Sequence, residues 1–104
     1  MRIAPSSSGR TLSFFLSGEL DHHAAKSAMA SIESEIERRA PRDCVLDLSG
    51  LTFMDSSGIA VILKTMRRMN ELGGRVSVVN VGRQPMRVVD ASGIARIVNV
   101  SAAG

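Results

Sequence analysis

Two adjacent serines that follow an aspartate are the residues with the clearest potential for chemistry. The run reads Phe53-Met-Asp55-Ser56-Ser57-Gly58 and lies between a β-rich segment and a segment with helical periodicity. The first N–H groups of a helix have no partner inside the helix, and the helix dipole is positive at that end, so such a junction attracts anions. A plain capping turn has the same composition, and on these residues alone capping is the stronger interpretation.

The motifs that commonly mark a catalytic site are missing from the sequence. It contains no Gly-x-x-x-x-Gly-Lys phosphate loop, no Gly-x-Ser-x-Gly motif and one cysteine. His22 and His23 are adjacent, so they point in different directions on a helix and do not readily bind one metal ion. We therefore predict a protein that is not an enzyme and that uses no cofactor and no metal.

Composition and charge favour a cytoplasmic protein. No stretch approaches the length of a membrane span, and the chain begins without the apolar run of a signal peptide. Cys44 lies in a strand-forming run and is predicted to be a small buried hydrophobe in a reducing compartment. The formal net charge is +3, but the basic residues are dispersed, which is typical of solvated surface and also compatible with docking of an acidic partner.

The sequence contains no Tyr or Trp that could stack on bases, so nucleic-acid binding is a weak alternative.

The elements that must position the two serines alternate between strand and helix. Asp21 is a suitable N-cap for a helix over His22 to Arg39, and Asp55, Ser56 and Ser57 are three candidate caps for a second helix. The predicted strands are Arg10 to Gly18, Asp43 to Ser49 and Arg75 to Val81, with Met1 to Ala4 as a hairpin partner joined through a turn at Pro5 to Gly9. Ile94 to Val100 is predicted to be a final strand or extended segment. Pro85 suits the first turn of a third helix, and Ser101 to Gly104 is a frayed end. Because helices of this length join short strands, we expect one α/β domain over residues 1–104 with crossover connections and a partly parallel sheet.

Two expectations concern packing. Cys44-Val-Leu-Asp-Leu48 has apolar residues on both faces, which suggests a central strand covered by helices. The buried stripe of the second helix is expected to comprise Ile59, Ile62, Leu63, Met66, Met69 and Leu72.

Two segments resemble a known family. Leu46-Asp-Leu-Ser-Gly-Leu-Thr-Phe-Met-Asp-Ser-Ser-Gly-Ile-Ala-Val-Ile-Leu63 is similar to the signature of the STAS domain of anti-sigma-factor antagonists. Ser17-Gly-Glu-Leu-Asp-His-His-Ala-Ala25 resembles the second family segment and is closest to the sporulation type. Leu72-Gly-Gly74 and Val89-Asp-Ala-Ser-Gly-Ile94 agree as well, so the resemblance covers most of residues 10 to 100.

The resemblance implies a mixed sheet of about four to five strands with helices packed mainly on one face. It also implies a protein that binds an anti-sigma factor, which is also a serine kinase, and thereby frees a sigma factor. The kinase would inactivate it by phosphorylating Ser56, and a serine phosphatase would reactivate it. Asp21, Asp55, Ser56, Ser57 and Gly58 would form the partner-binding face, with no role for DNA or a membrane.

Several roles stay open in the sequence. Ser57 could be phosphorylated instead of Ser56, although a cap hydroxyl is the favoured role, and Asp55 fits a structural cap better than a magnesium ligand. Gly58 either lets the backbone approach a partner or packs tightly against the sheet. A STAS subunit of a transporter or other signalling complex that is never phosphorylated is the alternative function.

Overall fold

A computed structural model describes residues 1–104. The sheet is formed by β1 (Arg2–Ser8), β2 (Thr11–Leu20), β3 (Asp43–Met54), β4 (Arg75–Val81) and β5 (Asn99–Ala102). The helices are α1 (His22–Arg39), α2 (Ser56–Glu71) and α3 (Arg83–Ser92), followed by a 3₁₀ turn (Ile94–Arg96).

The five strands form one mixed sheet in sequence order, β1-β2-β3-β4-β5. β1 and β2 are an antiparallel hairpin, and the other three pairs are parallel, each joined through a helical connection. Pro5 lies in β1, where an edge strand tolerates the missing N–H. This confirms the predicted mixed sheet and the hairpin, whose turn is shorter than expected because β1 continues to Ser8.

One face of the sheet carries the core. Phe14, Leu46 and Val78 are register partners on neighbouring strands, all buried, and they pack with the apolar stripes of the helices. On the opposite face Phe15 is 46% exposed. Helices therefore cover one face of the sheet only, and the predicted cover on both faces of β3 was wrong. Val45, the apolar residue behind that prediction, lies on the open face and is only half-buried.

The helix ends follow the sequence signals. α1 begins after the Asp21 cap and ends at Arg39, where Ala40 adopts a left-handed conformation ahead of Pro41. α3 carries Pro85 in its first turn and ends at Ser92, where Gly93 follows in a left-handed conformation. No helix is both long enough and apolar enough to cross a bilayer.

The local predictions for the end of α2 and for both ends of β5 were wrong. Leu72 is 43% exposed because α2 ends at Glu71, and Val61 and Thr65 are buried in its place. Ile94 begins a 3₁₀ turn, since the left-handed Gly93 ends α3 directly before it. β5 extends through Ala102, beyond the predicted boundary, because it pairs with β4, so Ser101 and Ala102 are not a frayed end.

Candidate functional site

The candidate site lies at the carboxyl ends of two neighbouring strands. β2 and β3 are parallel, and Leu20 and Met54, their last residues, are register partners. Asp21 and Asp55 follow these residues directly, and the Asp55 N–H donates to the Leu20 carbonyl oxygen at 3.3 Å. The parallel register therefore brings the starts of α1 and α2 side by side, as the resemblance implied for Asp21.

Each aspartate caps the helix that follows it. The Asp21 carboxylate accepts a hydrogen bond from the Ala24 N–H at 3.0 Å, and the Asp55 carboxylate accepts one from the Ser57 N–H at 2.8 Å. The hydrogen bond from Ala24 is the main reason why the pKa of Asp21 lies below its usual value, because it stabilises the charged form. The structural cap role predicted for Asp55 is confirmed.

Ser56 is the first residue of α2 and is exposed. Its hydroxyl makes no hydrogen bond within the chain, whereas the Asp55 carboxylate beside it is engaged with the helix backbone. The Ser56 hydroxyl is therefore accessible from the solvent.

Ser57 differs from its neighbour. It is half-buried, and the structure contradicts the predicted cap hydroxyl, because Asp55 occupies the cap position and Ser57 contributes only its backbone N–H. Asp55 supplies the cap because it lies at the N-cap position, from which a side-chain oxygen reaches the backbone N–H two residues later.

Gly58 is buried against the ends of β2 and β3. A β-carbon at this position would overlap Met54 Cγ and Sδ and come within 3.3 Å of Leu20 Cδ2. Of the two roles open for Gly58, the structure shows tight packing against the sheet.

Gln84 fixes the strand end that precedes the site, and no signal in the sequence marks it. Its side-chain amide donates to the Met54 carbonyl oxygen at 2.9 Å and accepts from the Met54 N–H at 2.8 Å. β3 and β4 pair only as far as Asp47 and Val79, so the end of β3 has no strand neighbour on this side. The amide of Gln84 takes over that pairing one residue before Asp55.

A second polar pair holds the point where β3 and β4 separate. Asp47 accepts hydrogen bonds from the Ser49 N–H at 2.9 Å and from the Asn80 side-chain amide at 3.0 Å. Burial acts most strongly on the Asp47 carboxyl and raises its pKa, but the hydrogen bonds from Ser49 and Asn80 together hold the pKa below its usual value. An aspartate inside the apolar run Leu46-Asp-Leu48 was the available signal for this contact.

Titratable groups elsewhere do not form a second centre. No three His, Cys, Asp or Glu side chains come together as a metal site would require. Cys44 is buried, as predicted, and burial raises the pKa of its thiol to about 12. The chemistry that the site offers is therefore one free hydroxyl beside two capped helix starts.

Comparisons with known proteins agree with this architecture. The STAS domain model matches residues 3–103. An anti-sigma F factor antagonist of Paenibacillus polymyxa is 40% identical over 85 residues, which is 82% of this chain and 73% of the relative.

Solved structures extend the match to the fold. Unphosphorylated SpoIIAA, an anti-sigma factor antagonist, aligns with a TM-score of 0.82 at 30% identity, covering 95% of this chain and 87% of that protein. The phosphorylated form of the Bacillus cell fate determinant SpoIIAA aligns with a TM-score of 0.73 at 30% identity, covering 95% of this chain and 90% of that protein. The chain therefore belongs to the STAS-domain family, among the anti-sigma factor antagonists.

Proposed function

We propose that this chain is an anti-anti-sigma factor controlled by phosphorylation of Ser56. In its unmodified form it binds an anti-sigma factor that is also a serine kinase, and the sigma factor held by that protein is released. Phosphorylation by the same kinase ends binding, and a serine phosphatase restores it. The chain itself performs no catalysis in this cycle.

The exposed, unbonded hydroxyl of Ser56 is the observation that carries the proposal. Ser57 is half-buried, so the two serines differ in access although they are adjacent. The curated relatives support the binding function, since they are named anti-sigma factor antagonists. SpoIIAA, which shares the fold, has been solved in both an unphosphorylated and a phosphorylated form.

Electrostatics explains why modification would leave the fold intact. A phosphoserine carries about −1.5 to −2 charges at neutral pH. At the first residue of α2 this charge meets the positive end of the helix dipole, and the exposed side chain keeps the phosphate in water. The Asp55 carboxylate stays bonded to the helix backbone, so the cap does not depend on the serine hydroxyl.

Partner binding responds differently to the same charge. Asp21 and Asp55 already place two carboxylates at the adjoining helix starts. A partner surface that fits this arrangement would meet added bulk and negative charge, and mismatched charge at an interface costs several kcal/mol. Phosphorylation would therefore prevent binding without unfolding the chain.

A displacement assay tests the proposal. The purified complexes of the source organism's anti-sigma kinases with their sigma factors are mixed with the chain, and free sigma factor is measured. We expect release by the wild type and by Ser57→Ala, and none by Ser56→Asp, whose fold is checked by circular dichroism. Release by Ser56→Asp at the wild-type level, or unfolding of this variant, would contradict the switch.

A further inference from the structure

A groove between α1 and α2 opens beside the candidate site. It has a volume of about 750 Å³. On α2 it follows one stripe from Ser57 through Ala60 and Lys64 to Arg68, a distance of about 16 Å at 1.5 Å per residue. Ser57 lies at its mouth, so the groove is continuous with the site that contains Ser56.

The groove has an apolar floor and a basic rim. Small or buried apolar residues form the floor, namely Ala25, Met29, Ala60 and Val61. The rim carries Lys26, Lys64, Arg67 and Arg68, with Glu33 as the one acidic residue.

Most of the rim charge is free of partners. Arg68 is paired with Glu37 at 3.4 Å and with Glu71 at 3.3 Å. Lys26, Lys64 and Arg67 make no ion pair within the chain. Three unpaired cations along one groove differ from dispersed surface charge, because their fields add at the same place.

We propose that this groove binds an acidic, partly apolar segment of the anti-sigma factor. Its apolar side chains would cover the floor, and its carboxylates would pair with Lys26, Lys64 and Arg67. This inference rests on the proposed function and adds the chemistry of the partner surface. It also gives a route for regulation, because a phosphate on Ser56, next to Ser57 at the mouth, weakens the positive potential that attracts the segment.

Two matched double variants test the groove. Lys64→Glu with Arg67→Glu reverses the rim, whereas Arg87→Glu with Arg96→Glu changes the net charge equally at exposed positions outside it. Affinity for each purified anti-sigma kinase of the source organism is measured by calorimetry at low and high salt, with Ser56→Asp in parallel and thermal unfolding as the fold control.

We expect the rim variant to bind at least about tenfold more weakly at low salt, and the control to stay within about twofold of wild type, because opposite charges at an interface attract and salt screens them. If both double variants lose affinity equally, the loss comes from the change in net charge and not from the groove, and the proposal is overturned. Wild-type affinity in the rim variant, with binding still lost in Ser56→Asp, would overturn the groove and leave the proposed function standing.

Two further results would also decide against the proposal. If no anti-sigma kinase binds the wild type, the proposed function fails and the groove assignment fails with it. If instead a duplex DNA oligonucleotide binds the wild type and the rim reversal abolishes this binding, the groove is a nucleic-acid surface and the acidic protein segment is wrong.

Discussion

At the level of single residues, Asp21 and Asp55 perform the same task at neighbouring helix starts. Each carboxylate accepts one backbone hydrogen bond from the first turn of its helix. An N-cap of this kind typically contributes about 1 kcal/mol. Because the aspartates supply the caps, the Ser56 hydroxyl makes no hydrogen bond that the helix start depends on, which supports its proposed role as the phosphorylation site.

Acid should destabilise the protein through its bonded aspartates. The pKa values of Asp21 and Asp47 both lie below the usual 3.8, so each carboxylate stabilises the fold above that pH, and its contribution is lost as pH falls through the lowered pKa. We expect the free energy of unfolding, measured by urea denaturation, to be level above about pH 5 and to fall below about pH 4.

Asparagine variants separate these groups from the other carboxylates. Asp21→Asn retains a good capping side chain but removes the titration. Asp47→Asn removes the titration at the strand junction and also one acceptor, because Asp47 accepts from Ser49 through one carboxylate oxygen and from Asn80 through the other. The double variant should lose less stability between neutral and acidic pH than wild type. An identical pH dependence in both proteins would show that these two aspartates do not control acid stability.

Gly58 should tolerate no side chain. Alanine improves helix propensity by about 1 kcal/mol. Overpacking against the buried Met54 and Leu20 side chains costs about 1–3 kcal/mol, so steric overlap should dominate and Gly58→Ala should be destabilised. Urea denaturation measures the difference, and Ser57→Ala, one position earlier in the same turn, should remain near wild-type stability. A more stable Gly58→Ala protein would contradict the packing role.

At the level of secondary structure, the site depends on how β3 ends. β3 loses its β4 partner after Asp47, and the Gln84 side chain from α3 then bonds both backbone groups of Met54. The start of α2 is therefore held from two sides, by Leu20 of β2 and by Gln84 of α3.

Removing the Gln84 amide should loosen this strand end. Gln84→Ala leaves the N–H and the carbonyl of the buried Met54 without these partners, which costs about 1–3 kcal/mol for a group left unsatisfied. Hydrogen exchange at the Met54 amide should become faster, while Arg83→Ala, an exposed neighbour, should leave it unchanged. Unaltered exchange in Gln84→Ala would show that the contact does not hold the strand.

Local signals were sufficient for the start and end of α1, but not for the end of α2 or for every strand. α1 begins and ends as its cap and Pro41 predict, because those signals act within a few residues. β3 runs five residues past the predicted Ser49, since its second half is stabilised by pairing with β2 and by Gln84, which are distant in sequence. Asp55 could be predicted as a cap because it acts on the helix that directly follows it. Gln84 could not be found because its contact, Met54, is distant in the sequence.

At the level of the whole molecule, the helices leave one face of the sheet uncovered. The adjacent residues Phe14 and Phe15 point to opposite faces and are 0% and 46% exposed. The family resemblance predicted helices mainly on one face of the sheet, which is correct. The apolar pattern of β3 alone predicted helices on both faces, which is wrong. The half-buried Val45 and the bonded Asp47 account for that misleading pattern.

The two phenylalanines provide a matched test of this layering. Phe14→Ala removes a ring from the core and should cost about 3–5 kcal/mol, whereas Phe15→Ala should cost much less because its ring is half-exposed. Chemical denaturation of both variants gives the comparison. Similar losses at the two positions would mean that the open face is covered.

Phosphate mapping tests the central claim most directly. The chain is incubated with ATP and each purified anti-sigma kinase of its source organism, and the modified peptides are identified by mass spectrometry in wild type, Ser56→Ala and Ser57→Ala. We predict one phosphate on Ser56 in wild type and in Ser57→Ala, and none in Ser56→Ala. A phosphate on Ser57, or no phosphate between Asp55 and Lys64 with any kinase, would contradict the account.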